Sequence, residues 1–74
     1  MEKFNKIAAN IFKYPEADIT DALSSKDIPE WDSMNYLLFI AELEKEYNVS
    51  FSMDEVMNAK CIGDIRKIVE LRKK

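Results

Sequence analysis

Apolar residues recur every three or four positions in three separate stretches of the chain, which is the spacing of amphipathic helices. The first stretch predicts a helix over residues 2–13. Pro15 would end it, because the residue before a proline is pushed out of helical geometry. The last stretch predicts a helix from about Ile62 to Arg72. The apolar positions are Phe4, Ile7, Ala8, Ile11 and Phe12 in the first helix, and Ile62, Ile65, Ile68 and Val69 in the last.

The longest helical pattern starts at Ser33 and runs to Tyr47. Asp32 precedes it at the N-cap position, where a carboxylate can accept a hydrogen bond from a free amide of the first turn. One broad apolar arc of this helix is expected to pack on the core, and it comprises Tyr36, Leu37, Phe39, Ile40, Leu43 and Tyr47. The opposite arc is expected to face solvent, and it comprises Met34, Asn35, Leu38, Ala41, Glu42 and Lys45.

Residues 14–32 form a long connection between the first two helices. A loop of this length in so small a chain must be pinned to the bundle. The expected pins are the apolar residues Ile19, Leu23, Ile28 and Trp31. Trp31 comes directly before Asp32 and could set the angle at which the chain enters the long helix.

A short helix is predicted between the two later stretches. Asn48 would stop the long helix, and residues 49–51 would be extended, with Val49 and Phe51 on the same side. The Ser52–Glu55 spacing is that of a capping box. The short helix that it opens would turn Val56 and Met57 inward and end over residues 58–60. The sequence therefore predicts an all-α bundle of three main helices plus one short helix, without a sheet, as one domain over residues 1–74.

Composition narrows the chemistry that this chain could perform. Its 74 residues include no histidine, one glycine and one cysteine. A histidine-activated nucleophile, a histidine-ligated metal site, a glycine-rich phosphate loop and an internal disulfide are all excluded. Catalysis by this chain alone is therefore not expected.

The net charge of −3 is unevenly distributed. Residues 16–32 contain six acidic side chains and one lysine, whereas residues 61–74 contain five basic and two acidic side chains. The acidic segment disfavours nucleic acid as a partner. It is expected to be either a solvated loop or a docking surface for basic enzymes. No apolar stretch has the length of a signal peptide or a membrane span, so we expect a cytoplasmic protein without a membrane partner.

The segment Asp32-Ser33-Met34 resembles the Asp-Ser-Leu signature of acyl and peptidyl carrier proteins, with Met34 in place of leucine. The resemblance continues through the buried positions of the long helix and its acidic-aromatic end at residues 44–47. It extends to Ile62-Gly63-Asp64-Ile65, which is similar to the Val-Gly-Asp before the last helix of that family. The match covers essentially the whole chain, in order and without insertion.

This resemblance implies that Ser33 is the residue to which a phosphopantetheinyl transferase attaches 4′-phosphopantetheine from coenzyme A. A phosphodiester at a helix N-terminus would meet free amides and a favourable dipole. The chain would then be a discrete, monomeric, non-catalytic carrier. It would hold an acyl or aminoacyl group as a thioester between a loading ligase and the enzymes of fatty acid, polyketide or related specialised biosynthesis.

The resemblance also implies that partner enzymes recognise the outer face of the long helix. The docking residues expected there are Asp32, Met34, Asn35, Leu38, Ala41, Glu42 and Lys45. Asn35 and Leu38 replace acidic residues that are common in the family, and Lys45 adds a positive charge. These departures favour a dedicated partner in a specialised pathway over an ordinary fatty-acid synthase set.

Three questions stay open at the level of the sequence. With Met34, the motif is similar to the Asp-Ser-Met of D-alanyl carriers, which favours an aminoacyl cargo, whereas the rest of the long helix is no closer to that branch. A function of another class is an interaction module that keeps the carrier fold without a prosthetic group. Cys61 replaces the threonine or serine cap usual in the family, and is either a small apolar residue or a reactive thiol.

Overall fold

Four α-helices and one 3₁₀ turn follow one another along residues 2–73, the part of the chain that the computed structural model describes. The helices are α1 (Glu2–Phe12), α2 (Ser33–Tyr47), α3 (Met53–Asn58) and α4 (Ile62–Arg72), and the 3₁₀ turn is Glu16–Asp18. Within these residues the sole strand-like feature is an isolated bridge between Ser24 and Cys61. The predicted all-α bundle of three main helices and one short helix is therefore confirmed.

Helix ends follow local backbone preferences. Helix α1 ends one residue earlier than predicted, because Lys13 takes a left-handed conformation with a φ of 52°. Helix α2 ends at Tyr47, and its C-cap Asn48, with a φ of 54°, is the stop that the sequence predicted. The capping box of α3 is present, since Ser52 accepts from the Glu55 amide and Glu55 accepts from the Ser52 amide. None of the helices in residues 2–73 combines the length and apolarity needed to cross a bilayer.

The core lies between α1, α2 and α4. Its buried residues are Phe4, Ala8, Phe12, Ile19, Ile28, Phe39, Ile40, Leu43, Val49, Ile62, Ile65 and Val69. The ring of Phe39 contacts two other aromatic rings of the core. It packs edge-on against Phe4, with 5.4 Å between ring centroids, and tilted against Phe12, with 5.2 Å between centroids. Aromatic pairs at these distances add to the stabilisation that burial supplies.

The long connection is pinned as predicted. Ile19 and Ile28 are buried, and Leu23 and Trp31 pack partly buried against the core. The connection also bonds to the start of α4, where the Ile62 amide donates to the Leu23 carbonyl at 2.8 Å. These contacts satisfy backbone groups that an unpinned loop would leave to solvent.

Gly63 allows the connection to approach α4 closely. Its amide donates to the Asp21 carbonyl at 2.9 Å, and a Cβ at this position would meet the Asp21 Cβ at 2.9 Å. Arg66 strengthens the same junction, because its Nε donates to Asp21 Oδ1 at 2.7 Å and its Nη2 donates to Asn5 Oδ1 at 2.5 Å. Its guanidinium also lies 4.4 Å from the centroid of the Phe4 ring, within cation–π range.

Three residues that the sequence predicted to be buried are exposed or only partly buried. Leu37 is 56% exposed and Met57 is 75% exposed, whereas Ile68 is partly buried at the edge of α4. Helix α3 has only six residues, so it cannot cover Leu37 and turns Val56 rather than Met57 toward the core. Tyr36 and Tyr47, also on the predicted arc, are partly buried.

Two leucines of α2 therefore provide a matched test of the core. Leu43→Ala should lower the free energy of unfolding by about 2–5 kcal/mol, because it leaves a cavity among fully buried residues. Leu37→Ala removes the same atoms from an exposed position and should cost less than about 1 kcal/mol. Urea denaturation followed by far-UV circular dichroism measures both. Equal losses would contradict the orientation of α2.

Candidate functional site

Ser33 is the first residue of α2, and its side chain is exposed. Asp32 caps the helix as predicted: its Oδ1 accepts from the Asn35 amide at 2.8 Å, and its carbonyl accepts from the Tyr36 amide at 2.9 Å. Within residues 2–73, no hydrogen-bond acceptor pairs with the amides of Ser33 and Met34. These free amides lie at the positive end of the helix dipole, where an anion is stabilised.

Trp31 fixes the position of this helix start. Its ring stacks on Phe12 of α1 at 5.1 Å with an interplanar angle of 13°, and on Tyr36 of α2 at 5.5 Å with an angle of 28°. The Asn35 side-chain amide adds a bond to the Glu30 carbonyl at 2.8 Å. The residues leading into Ser33 are therefore held from both sides.

Two open depressions flank Ser33 and share Tyr36 as a wall. The first has a volume of about 360 Å³ and is lined by Ser25, Trp31, Asp32, Ser33 and Tyr36. The second has a volume of about 350 Å³ and is lined by Ser33, Tyr36, Leu37, Met53, Val56, Met57 and Ala59. The second is largely apolar, and its exposed side chains come from both α2 and α3. Ser33 lines both depressions, so its hydroxyl is next to both surfaces.

Helix α3, which forms one wall of the apolar depression, is tied to both neighbouring helices. The Tyr36 hydroxyl of α2 donates to the Val56 carbonyl at 2.6 Å. On the other side, Arg72 of α4 donates through two nitrogens to the two carboxylate oxygens of Glu55. Hydrogen bonds from Arg72 and from the Ser52 amide lower the pKa of Glu55 from 4.5 to about 2. Charge and hydrogen bonding therefore hold the short helix in place.

A comparison with known families shows which family the chain belongs to. A family model described as the phosphopantetheine attachment site matches residues 3–69. The chain belongs to the phosphopantetheine-attachment family. Members are carriers and not catalysts, and the group that they carry is phosphopantetheine. The family predicted from the sequence, the non-catalytic role and the prosthetic group are thus confirmed.

Solved structures give the same result. The chain is similar to the holo acyl carrier protein from Geobacter metallireducens, with a TM-score of 0.85 and 27% identity over 96% of this chain and 82% of that chain. A protein from Mycobacterium tuberculosis that has been assigned as an acyl carrier protein gives a TM-score of 0.83 and 27% identity over 95% of this chain and 93% of that chain. No curated protein sequence matches the chain.

Most of the docking residues predicted for this carrier are exposed. Asp32, Met34, Leu38, Ala41, Glu42 and Lys45 face solvent, with Met34 at 74% and Leu38 at 51% exposure. Asn35 is partly buried, because its side chain bonds to the loop. The sequence did not predict the exposed side chains of Leu37, Met53 and Met57 beside Ser33. The five residues between Ser52 and the predicted break already limited what α3 could bury.

The acidic segment of the carrier is partly structural. Asp21 pairs with Arg66, Asp27 accepts from the Ser24 amide at 3.0 Å, and Asp32 caps α2. All six carboxylates in residues 16–32 are exposed, and three of them also stabilise the loop or the start of α2. Among the described residues 2–73, Asp21 is the one member of the six that pairs with a basic side chain, so the segment keeps most of its negative charge.

Cys61 occupies the N-cap position of α4 without a side-chain cap bond. The Asp64 carboxylate accepts from the Lys60 amide at 2.9 Å instead, and this bond lowers the pKa of Asp64. Together with the amide bonds from Ile62 and Gly63 to the loop, it secures a helix start that the cysteine leaves uncapped. Cys61 is a free cysteine and is partly buried.

The Glu55–Arg72 pair predicts a pH dependence. Because the folded state depresses the pKa of Glu55 from 4.5 to about 2, its stabilisation is full above pH 4.5 and is lost as the pH falls toward 2. The stability difference between the wild type and Glu55→Gln should therefore be constant near neutrality and shrink across that interval. Urea titrations from pH 2 to pH 7 would measure it. A difference that does not change with pH, or one unaffected by adding Arg72→Gln, would contradict the pairing.

Proposed function

We propose that Ser33 carries 4′-phosphopantetheine and that the chain is a discrete carrier of acyl or aminoacyl groups in specialised biosynthesis. The family membership supports the prosthetic group. The observation that carries the choice of residue is the exposed hydroxyl of Ser33 at the start of α2, next to the amides of Ser33 and Met34, which have no partner within residues 2–73. Asp32 and Met34 around it complete the motif that resembles the attachment signature.

The residues around Ser33 fit the group. A phosphodiester on the Ser33 oxygen would be stabilised by the free amides and by the dipole of a helix of 15 residues. Leu37, Met53 and Met57 line the apolar depression beside it and would support the less polar parts of an arm. When attached, the arm supplies the thiol on which a carrier holds its cargo as a thioester.

A partner enzyme must perform the attachment. The chain contains no histidine, so it offers no such base to remove the proton of the Ser33 hydroxyl. We propose a phosphopantetheinyl transferase for this step, with coenzyme A as the donor. A loading ligase would then supply the acyl or aminoacyl group, and biosynthetic enzymes would take it from the carrier.

Replacement of the serine tests the attachment. Ser33→Ala should abolish the mass gain produced by a broad-specificity transferase and coenzyme A, whereas the helical circular dichroism should persist because Asp32 still caps α2. Ser25→Ala is the matched control, since Ser25 is exposed and lines the neighbouring depression. Intact-protein mass spectrometry measures the masses of the wild type, Ser33→Ala and Ser25→Ala. A mass gain in Ser33→Ala would refute the proposed site, and an unmodified wild type would favour an interaction module without the group.

The outer face of α2 is proposed as the surface that partner enzymes contact. Leu38 is 51% exposed and lies beside Ile7 and Ile11 of α1 in a depression of about 210 Å³. With Met34 and Ala41 it forms an apolar strip near Ser33, bordered by Asp32, Glu42 and Lys45. Exposed apolar strips of this kind commonly mark binding sites for other proteins.

A charge placed in this strip tests the proposal. Leu38→Glu should slow loading by the cognate ligase by roughly tenfold or more, because it places a charge in an apolar contact worth on the order of 1–2 kcal/mol. It should affect a broad-specificity transferase less. Leu71→Glu is the control, as Leu71 is 80% exposed on α4. Loading rates are compared at low and high salt, and equal rates for Leu38→Glu and the wild type would show that the strip does not contact the ligase.

A further inference from the structure

Tyr36 closes the gap between α2 and α3 directly beside Ser33. Its hydroxyl donates to the Val56 carbonyl at 2.6 Å, which ties the two helices together. Its ring stacks on Trp31, and Trp31 stacks in turn on Phe12. The Tyr36 ring therefore cannot swing aside without disturbing a column of three stacked rings.

The segment leading into α3 is held on its other sides as well. The Phe51 amide donates to Glu44 Oε2 of α2 at 2.9 Å. Arg72 of α4 donates to the Ser50 carbonyl at 3.1 Å and to both carboxylate oxygens of Glu55. Outward movement of α3 would break bonds to two helices at once.

The space behind Tyr36 is filled. Phe39, one turn further along α2, is fully buried and contacts Phe4 and Phe12. Ile62 and Ile65 of α4 are also fully buried in the same cluster. Because protein interiors are close-packed, an alkyl chain entering here would have to displace these side chains.

From these contacts we infer that Tyr36 is a specificity-determining residue that keeps the carried group outside the helical bundle. The cargo is then a short acyl or aminoacyl group that rests in the open depression formed by Leu37, Met53 and Met57. A long alkyl chain would be left largely in water on this carrier, which disfavours it. This inference rests on the proposed attachment at Ser33.

The test compares short and long cargoes on the same protein. A broad-specificity transferase attaches acetyl- or octanoyl-phosphopantetheine to Ser33 from the corresponding coenzyme A ester, with adenosine 3′,5′-bisphosphate as the leaving group. Mass spectrometry verifies each product before further measurement. The thermal midpoints of the two products are then compared. A product without the expected mass would count against the attachment at Ser33. The position of the cargo is tested separately, by the thermal midpoints of protein that carries the expected mass.

In the wild type the octanoyl and acetyl forms should have midpoints within about 2 °C of each other. Burial of only two methylene groups would separate them by roughly 6–12 °C. Tyr36→Leu removes both the hydroxyl and the ring from the gap, so the midpoints of its octanoyl and acetyl forms should differ by this amount. Tyr47→Leu makes the same change at the other end of α2, remote from Ser33, and should behave as the wild type.

Three results would overturn the inference. The first is a difference between the octanoyl and acetyl midpoints in the wild type, and the second is no such difference in Tyr36→Leu. The third is a difference in Tyr47→Leu as large as that in Tyr36→Leu. If Tyr36→Leu does not fold, the same comparison is made with Tyr36→Phe and Tyr47→Phe. Tyr36→Phe removes the hydroxyl that bonds to Val56. Tyr47→Phe removes a hydroxyl that is buried without a partner in residues 2–73. A separation in Tyr36→Phe alone would support the inference, and its absence there would overturn it.

Discussion

The stacking of Trp31 between Phe12 and Tyr36 is the contact on which the candidate site depends. It joins the end of the long connection to α1 and α2 at the residue before the helix cap. Because the loop is fixed there, the Asp32 carboxylate reaches the first turn of α2 and Ser33 is left at the exposed end of a rigid helix. A serine in a flexible loop would have neither the free amides nor the constant position that this one has.

The same helix start explains how a non-catalytic carrier can take part in reactions that partner enzymes perform. The bundle supplies a fixed hydroxyl, a favourable dipole and two different surfaces beside it. Bonds from Tyr36 and Arg72 hold the short α3 against its neighbours, so the apolar surface stays outside and the core stays closed. In this account the carrier presents its cargo and Tyr36 keeps that cargo outside the bundle, while partner enzymes supply bond formation.

The sequence predicted those features that depend on a few neighbouring residues. The caps at Asp32 and Ser52 and the helix stop at Asn48 are confirmed, because each is determined within one turn of chain. The buried arc of α2 was wrong at Leu37, since its exposure depends on how much of α2 the short α3 covers. Such coverage depends on packing between distant segments, and the periodicity along one helix does not predict that packing.

The central claim is that the prosthetic group is attached at Ser33, and peptide mapping tests it most directly. Trypsin should cut after Lys26 and Lys45, which releases residues 27–45, a peptide whose only serine is Ser33. After reaction with a transferase and coenzyme A, the account predicts that the whole added mass lies on this peptide and that fragmentation assigns it to Ser33. Added mass on any other peptide, or none on this one, would contradict the account.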